Sequence, residues 1–126
     1  MDVMISNQSK DPIYQQIIDQ IKNQIISEKL EAGQMLPSIR YLARQLRISV
    51  ITVKRAYDDL EKEGFIETVS GKGSFVARCD TEAIKKQQKQ LLRRALAQNI
   101  DAAKQNQVKL EELITMVRSL YEGREG

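Results

Sequence analysis

Five cations, Arg40, Arg44, Arg47, Lys54 and Arg55, fall in a stretch that holds no acidic residue between Glu31 and Asp58. A guanidinium or ammonium can neutralise a phosphate or donate to O6 and N7 of guanine. One sign of charge gathered on one segment is the pattern of a surface that faces a polyanion. Set among these cations are Ser38 and Ser49, each just ahead of a run with helical spacing, where a hydroxyl can cap a helix and also meet a phosphate. Val50 and Ile51 follow, two adjacent β-branched residues suited to a thymine methyl group or a sugar face, with Thr52 on their flank. Further on, Gly71-Lys72 offers a compact basic tip. The candidate DNA-contacting set is therefore Ser38, Arg40, Ser49, Val50, Ile51, Thr52, Lys54, Arg55, Gly71 and Lys72. For Val50 and Ile51 the alternative, that they cover the core at a helix entrance, stays open.

Other chemistries are poorly served. The chain of 126 residues has no histidine and one cysteine, Cys79, so zinc sites, His-dependent triads and intrachain disulfides are all but excluded. Gly71-Lys72-Gly73-Ser74 is not a nucleotide-binding phosphate loop. That pattern needs Gly five residues before its second Gly and Ser or Thr directly after Lys, where this chain has Ile66 and Gly73. The expectation is a non-enzyme with no metal and no cofactor. A net charge of +3 is too small to argue for nucleic acid unaided, which is why its distribution matters more. With 41% hydrophobic and 29% charged residues the composition is that of a globular protein. No apolar run approaches the roughly 18–20 residues of a membrane span, so the expected location is cytoplasmic.

The elements that must position these groups can be read in turn. Met1 to Lys10 reads as a flexible arm. Asp11-Pro12 opens a helix, with Asp11 as its cap and Ile13, Ile17, Ile21 and Ile25 on its apolar face. Ser38 caps a second helix running to about Leu46, Arg47-Ile48 form a turn, and Ser49 caps a third. Val53, Ala56, Tyr57 and Leu60 make that helix's buried stripe, and Gly64 ends it in a left-handed conformation. Phe65–Val69 and Ser74–Ala77 form a hairpin around Ser70–Gly73. This layout is a winged helix-turn-helix over residues 11–78, whose third helix enters the major groove. The fold class is α+β, mainly α.

From residue 79 onward the sequence favours a tail of two helices. One runs from Thr81 to beyond Ile100, the other carries Leu110, Leu113, Ile114, Val117, Leu120 and Tyr121. So short a hairpin cannot bury its stripes alone, and a second copy is the expected partner, through Leu91, Leu92, Leu96 and those six residues. Lys85, Lys86, Lys89, Arg93 and Arg94 form a second acid-free run, read as a solvated face, with DNA or an acidic ligand as the lesser alternative.

Leu-Pro-Ser-x-Arg-x-Leu-Ala (36–43), Ser-x-x-Thr-Val-x-x-Ala-Tyr-x-x-Leu-x-x-x-Gly (49–64) and Gly-Lys-Gly-Ser-Phe-Val (71–76) together resemble the GntR family of bacterial transcription regulators. Pro12-Ile13-Tyr14 and Ile17 fit as well, and the short tail is similar to its YtrA-like subfamily. The resemblance implies a homodimer that binds an inverted repeat and represses nearby genes, often its own operon and an ABC transporter. It carries DNA contact onto Arg40, Ser49, Val50, Ile51, Thr52, Lys54, Gly71 and Lys72. Val50 departs from the Arg that many relatives carry there, which removes one guanine reader. An activator, or an interaction module with weak DNA binding, is the alternative. The operator, the regulated genes and any small-molecule effector are not readable from these residues.

Overall fold

The structure, a computed structural model, describes residues 1–123. Along the chain lie α1 (Ile13–Ile26), α2 (Ile39–Leu46), α3 (Val50–Lys62), β1 (Ile66–Val69), β2 (Gly73–Val76), α4 (Thr81–Gln105) and α5 (Leu110–Tyr121). It is a winged helix-turn-helix, mainly α, with a single two-stranded antiparallel sheet among the described residues. The chain divides into two compact units, Met1–Lys85 and the residues from Lys86 onward.

In the first unit the expected stripes become the core. Ile17, Ile21, Val53, Ala56 and Leu60 are sealed from solvent, joined by Ile18, Ile25, Leu42, Ala43 and Tyr57. These residues sit three and four apart on their helices, so α1 and α2 each lay one apolar face against α3. α3 ends in a Schellman turn. Gly64 takes φ +83°, the Phe65 amide donates to the Leu60 carbonyl at 2.9 Å, and the Gly64 amide donates to Glu61 at 3.0 Å. The strands pair Ile66 with Val76 and Val69 with Gly73. Residues 34–36 lie along β2, with the Leu36 amide on the Ser74 carbonyl and the Val76 amide on the Gln34 carbonyl. That segment ties the wing to the start of α2.

Two expectations need correction. Asp11 does not cap α1. Pro12 is the N-cap residue and makes no side-chain cap bond, and its carbonyl accepts from the Gln15 and Gln16 amides. The first residues are also not free. Met1, Val3 and Ile5 are half-buried against the core, and three glutamines of α1 hold the backbone between them. Gln16 Oε1 accepts from the Ser6 amide and its Nε2 donates to the Ser6 carbonyl. Gln20 does the same for Met4 at 2.8 and 2.6 Å. Gln24 does so for Asp2 at 3.4 and 2.6 Å. A glutamine amide has a donor and an acceptor side by side, the same pair a neighbouring β-strand would offer. The segment is thus an extended strand whose partner is built of side chains.

In the second unit no described residue of α4 or α5 is buried. α4 closes on Gln107 at φ +60°, with the Val108 amide on the Ala103 carbonyl at 2.9 Å. Its polar link then returns the chain into α5. No described helix is long and apolar enough to cross a membrane.

Candidate nucleic-acid interface

The first turns of α2 and α3 are built the same way. Ser38 Oγ accepts the Tyr41 amide at 3.1 Å, and Ser49 Oγ accepts the Ile51 amide at 3.0 Å. Each hydroxyl satisfies one orphan amide and keeps its own proton free to donate outward. Neither helix has an acidic residue in its first turn, so the positive end of each helix dipole is left uncompensated, which suits an anion. Between them Arg47 adopts φ +56°, and the Ile48 amide reaches back to the Ala43 carbonyl at 3.0 Å. This arginine occupies the left-handed position that Gly64 fills at the end of α3. The tight turn sets α3 against α2.

Tyr57 locks that arrangement. Its ring is buried in α3, its hydroxyl donates to the Pro37 carbonyl at 2.8 Å, and burial pushes the phenol well above its ordinary range. Pro37 is the residue before the Ser38 cap, so one hydrogen bond from the recognition helix fixes where α2 begins.

The expected contact residues separate by environment. Val50 is 46% exposed and Ile51 79% exposed, so the core does not need Ile51, and the covering alternative fails for that residue. Arg40 is exposed in the first turn of α2, and Thr52 is half-buried. Lys54 Nζ lies 2.8 Å from Asp58 Oδ2, one turn on, and that hydrogen bond to the Asp58 carboxylate raises the lysine's pKa. Its ammonium is therefore charged but already partnered. Arg55 differs from the expectation: its guanidinium stacks on the Tyr14 ring of α1 at 3.7 Å. A cation over an aromatic face is held in place by the ring's charge distribution, so Arg55 links α1 to α3 and is less freely presented than Lys54.

In the wing, the Lys72 amide donates to the Val69 carbonyl at 2.9 Å and Gly71 takes φ +77°. Residues 69–72 thus form a turn whose third position needs a positive φ, which glycine adopts at no steric cost. Lys72 is exposed on this turn. The wing is braced from beneath by Glu61, whose carboxylate accepts the Thr68 amide at 3.0 Å. Sequence reasoning passed over Tyr41, 52% exposed on α2 beside Arg40. The acid-free stretch was the available signal, and only its charged members were taken.

The family model for bacterial regulatory proteins, gntR family, matches residues 13–76. That span holds α1, the helix-turn-helix and the wing. The chain is 32% identical to the HTH-type transcriptional repressor YtrA of Bacillus subtilis over 94% of this chain and 91% of that protein. A transcriptional regulator from Oenococcus oeni has a crystal structure similar to this one, with a TM-score of 0.70 and 33% identity over 93% of this chain and 97% of that one. AraR(DBD), solved in complex with operator ORX1, is similar at a TM-score of 0.54 and 29% identity, over 61% of this chain and 96% of that one.

Proposed function

Because the chain belongs to the gntR family of bacterial regulatory proteins, we propose that it is a sequence-specific DNA-binding transcription regulator, a homodimer that represses from an inverted-repeat operator. The observation that carries the reading is the mouth of α3. There a capped helix end without acidic residues presents Ile51, exposed and unneeded by the core. In the major groove Ile51 and Val50 meet thymine methyl groups, Lys54 leaves Asp58 for a base edge or phosphate, and Arg40 with Ser38 and Ser49 holds the backbone. Lys72 on the Gly71 turn reaches the neighbouring minor groove or its phosphates. Arg55 contributes mainly by fixing α3 on α1. The operator complex of AraR(DBD) and the repressor YtrA support this assignment.

Two copies would read two half-sites about 34–36 Å apart, or a multiple of that distance. Repression of its own operon and of a neighbouring ABC transporter is the regulatory form proposed. Titrating the purified protein against its own upstream DNA and against random DNA, each at two salt concentrations, tests it. Tight dimeric binding that weakens steeply with salt yet prefers the upstream fragment is expected. Equal affinity for both DNAs, with a genomic selection that recovers no preferred sequence, would refute sequence-specific recognition.

A further inference from the structure

The second unit has two apolar grooves and no core. One is lined by Ile100 of α4 with Leu110, Leu113, Ile114, Val117 and Tyr121 of α5. Leu110 is 66% exposed and Tyr121 91% exposed, so the groove is an open surface. Its two ends carry opposite charge. At one end stand Glu111 and Glu112 in the first turn of α5. Towards the other end, α4 is free of acidic residues from Ala83 to Ile100 and carries Lys86, Lys89 and Arg93. Those three and Ile100 fall at helical offsets 0, 3, 7 and 14, on one face. The basic stretch is therefore the continuation, along the same side of α4, of the line that forms the groove.

We propose that a second copy of this chain occupies the groove with its helices antiparallel to the first, so that Glu111 of each copy lies against Arg93 of the other. The inference rests on the two-copy reading above and adds its polarity and register. A symmetric pair must bury the same patch twice, and the two-fold axis then passes near the centre of that patch. The centre lies at Ile100 on α4 and midway between Ile114 and Val117 on α5. With a helical rise of about 1.5 Å per residue, Arg93 stands about 10 Å to one side and Glu111 about 7 Å to the other. A two-fold perpendicular to the helices brings the partner's Glu111 to the side of Arg93, within reach of its long stem. A two-fold parallel to the helices would instead set Glu111 against Glu111 and Arg93 against Arg93, like charge on like.

Single-cysteine variants decide the matter in a Cys79→Ser background, since Cys79 is the only native thiol. Mixing the Arg93→Cys and Glu111→Cys proteins under mild oxidation should give a mixed disulfide dimer, while Glu111→Cys alone stays uncrosslinked. Self-linking of Glu111→Cys, with no gain on mixing, overturns the proposal in favour of the parallel pair. Sedimentation gives an independent reading. Arg93→Glu and Glu111→Arg should each raise the dimer dissociation constant roughly tenfold, because each change acts at two symmetric contacts, and the double variant should return to within about threefold of the parent. A parent that dimerises but is indifferent to both reversals overturns the antiparallel register and leaves the homodimer standing. A parent that stays monomeric at all concentrations removes both.

Discussion

Replacing Tyr57 with Phe keeps the buried ring and deletes one oxygen, so the packing of α3 is unchanged while the 2.8 Å bond to the Pro37 carbonyl is lost. A hydrogen bond of this kind contributes about 0.5–1.5 kcal/mol net, and the carbonyl left short of a partner adds to the loss, so a destabilisation of about 1–2 kcal/mol is expected. For a cooperative unit of this size that lowers the melting temperature by about 5–15 °C, measured by circular dichroism at pH 7. The pH dependence follows from the same residue. Burial holds the folded phenol protonated well above the ordinary tyrosine range, whereas the unfolded chain releases that proton near pH 10. The unfolded state therefore binds fewer protons once pH passes about 10, and the stability that Tyr57 contributes, intact below that value, declines as pH rises. The Phe variant has no such proton to lose, so the gap between the two proteins should narrow between pH 9 and pH 11. Equal melting temperatures at pH 7, or a gap that widens with alkali, would refute the assignment of Tyr57 as the lock between α3 and α2.

Ile51→Ala should leave thermal stability within about 0.5 kcal/mol, since the side chain is 79% exposed. Its specific DNA affinity should fall, with preference lost at thymine positions of the half-site in a binding selection. Asp58→Asn frees Lys54 from its ion pair and should tighten DNA binding severalfold at low salt, a gain that vanishes when Lys54→Ala is added. A gain that persists without Lys54 would assign the effect to the loss of an acidic charge near DNA. Arg47→Gly relieves a left-handed conformation at φ +56° and should stabilise the fold by about 0.5–1 kcal/mol in denaturant melts.

The sequence disclosed those features whose physics is local or periodic. Ile17, Ile21 and Ile25 on α1 and Val53, Ala56, Tyr57 and Leu60 on α3 were legible because burial recurs every three or four residues. Gly64 was legible because glycine is the usual left-handed residue after a helix. Arg47 and Gln107 end their helices in the same conformation and gave no such warning, because for an ordinary side chain the turn is imposed by packing and not by preference. Arg55 read as a free cation because its partner, Tyr14, lies on another helix far back in the chain. The glutamines at 16, 20 and 24 looked like surface residues, and only the folded chain shows which backbone they hold. Which of the exposed groups on α2, α3 and the wing read bases, and which merely position, depends on a DNA surface the chain does not contain.

The glutamine-held strand at the start of the chain works like a vernier. Two residues of extended backbone advance about 6.6–6.8 Å, four residues of helix about 6.0 Å, so the marks on the two scales nearly coincide at each rung. Each step nevertheless adds a fraction of an ångström of error and about 40° of rotation around α1. A ladder of Gln16, Gln20 and Gln24 is therefore close to the longest the two scales can sustain. One step earlier on α1 stands Pro12, and one step later Glu28, already at φ +63° beyond the helix. Asparagine at any of the three, one methylene shorter, would miss its mark. Inserting a single residue between Asp2 and Ser6 would shift the scale by half a division, turning Val3 or Ile5 to solvent and setting an outward-facing peptide opposite each amide.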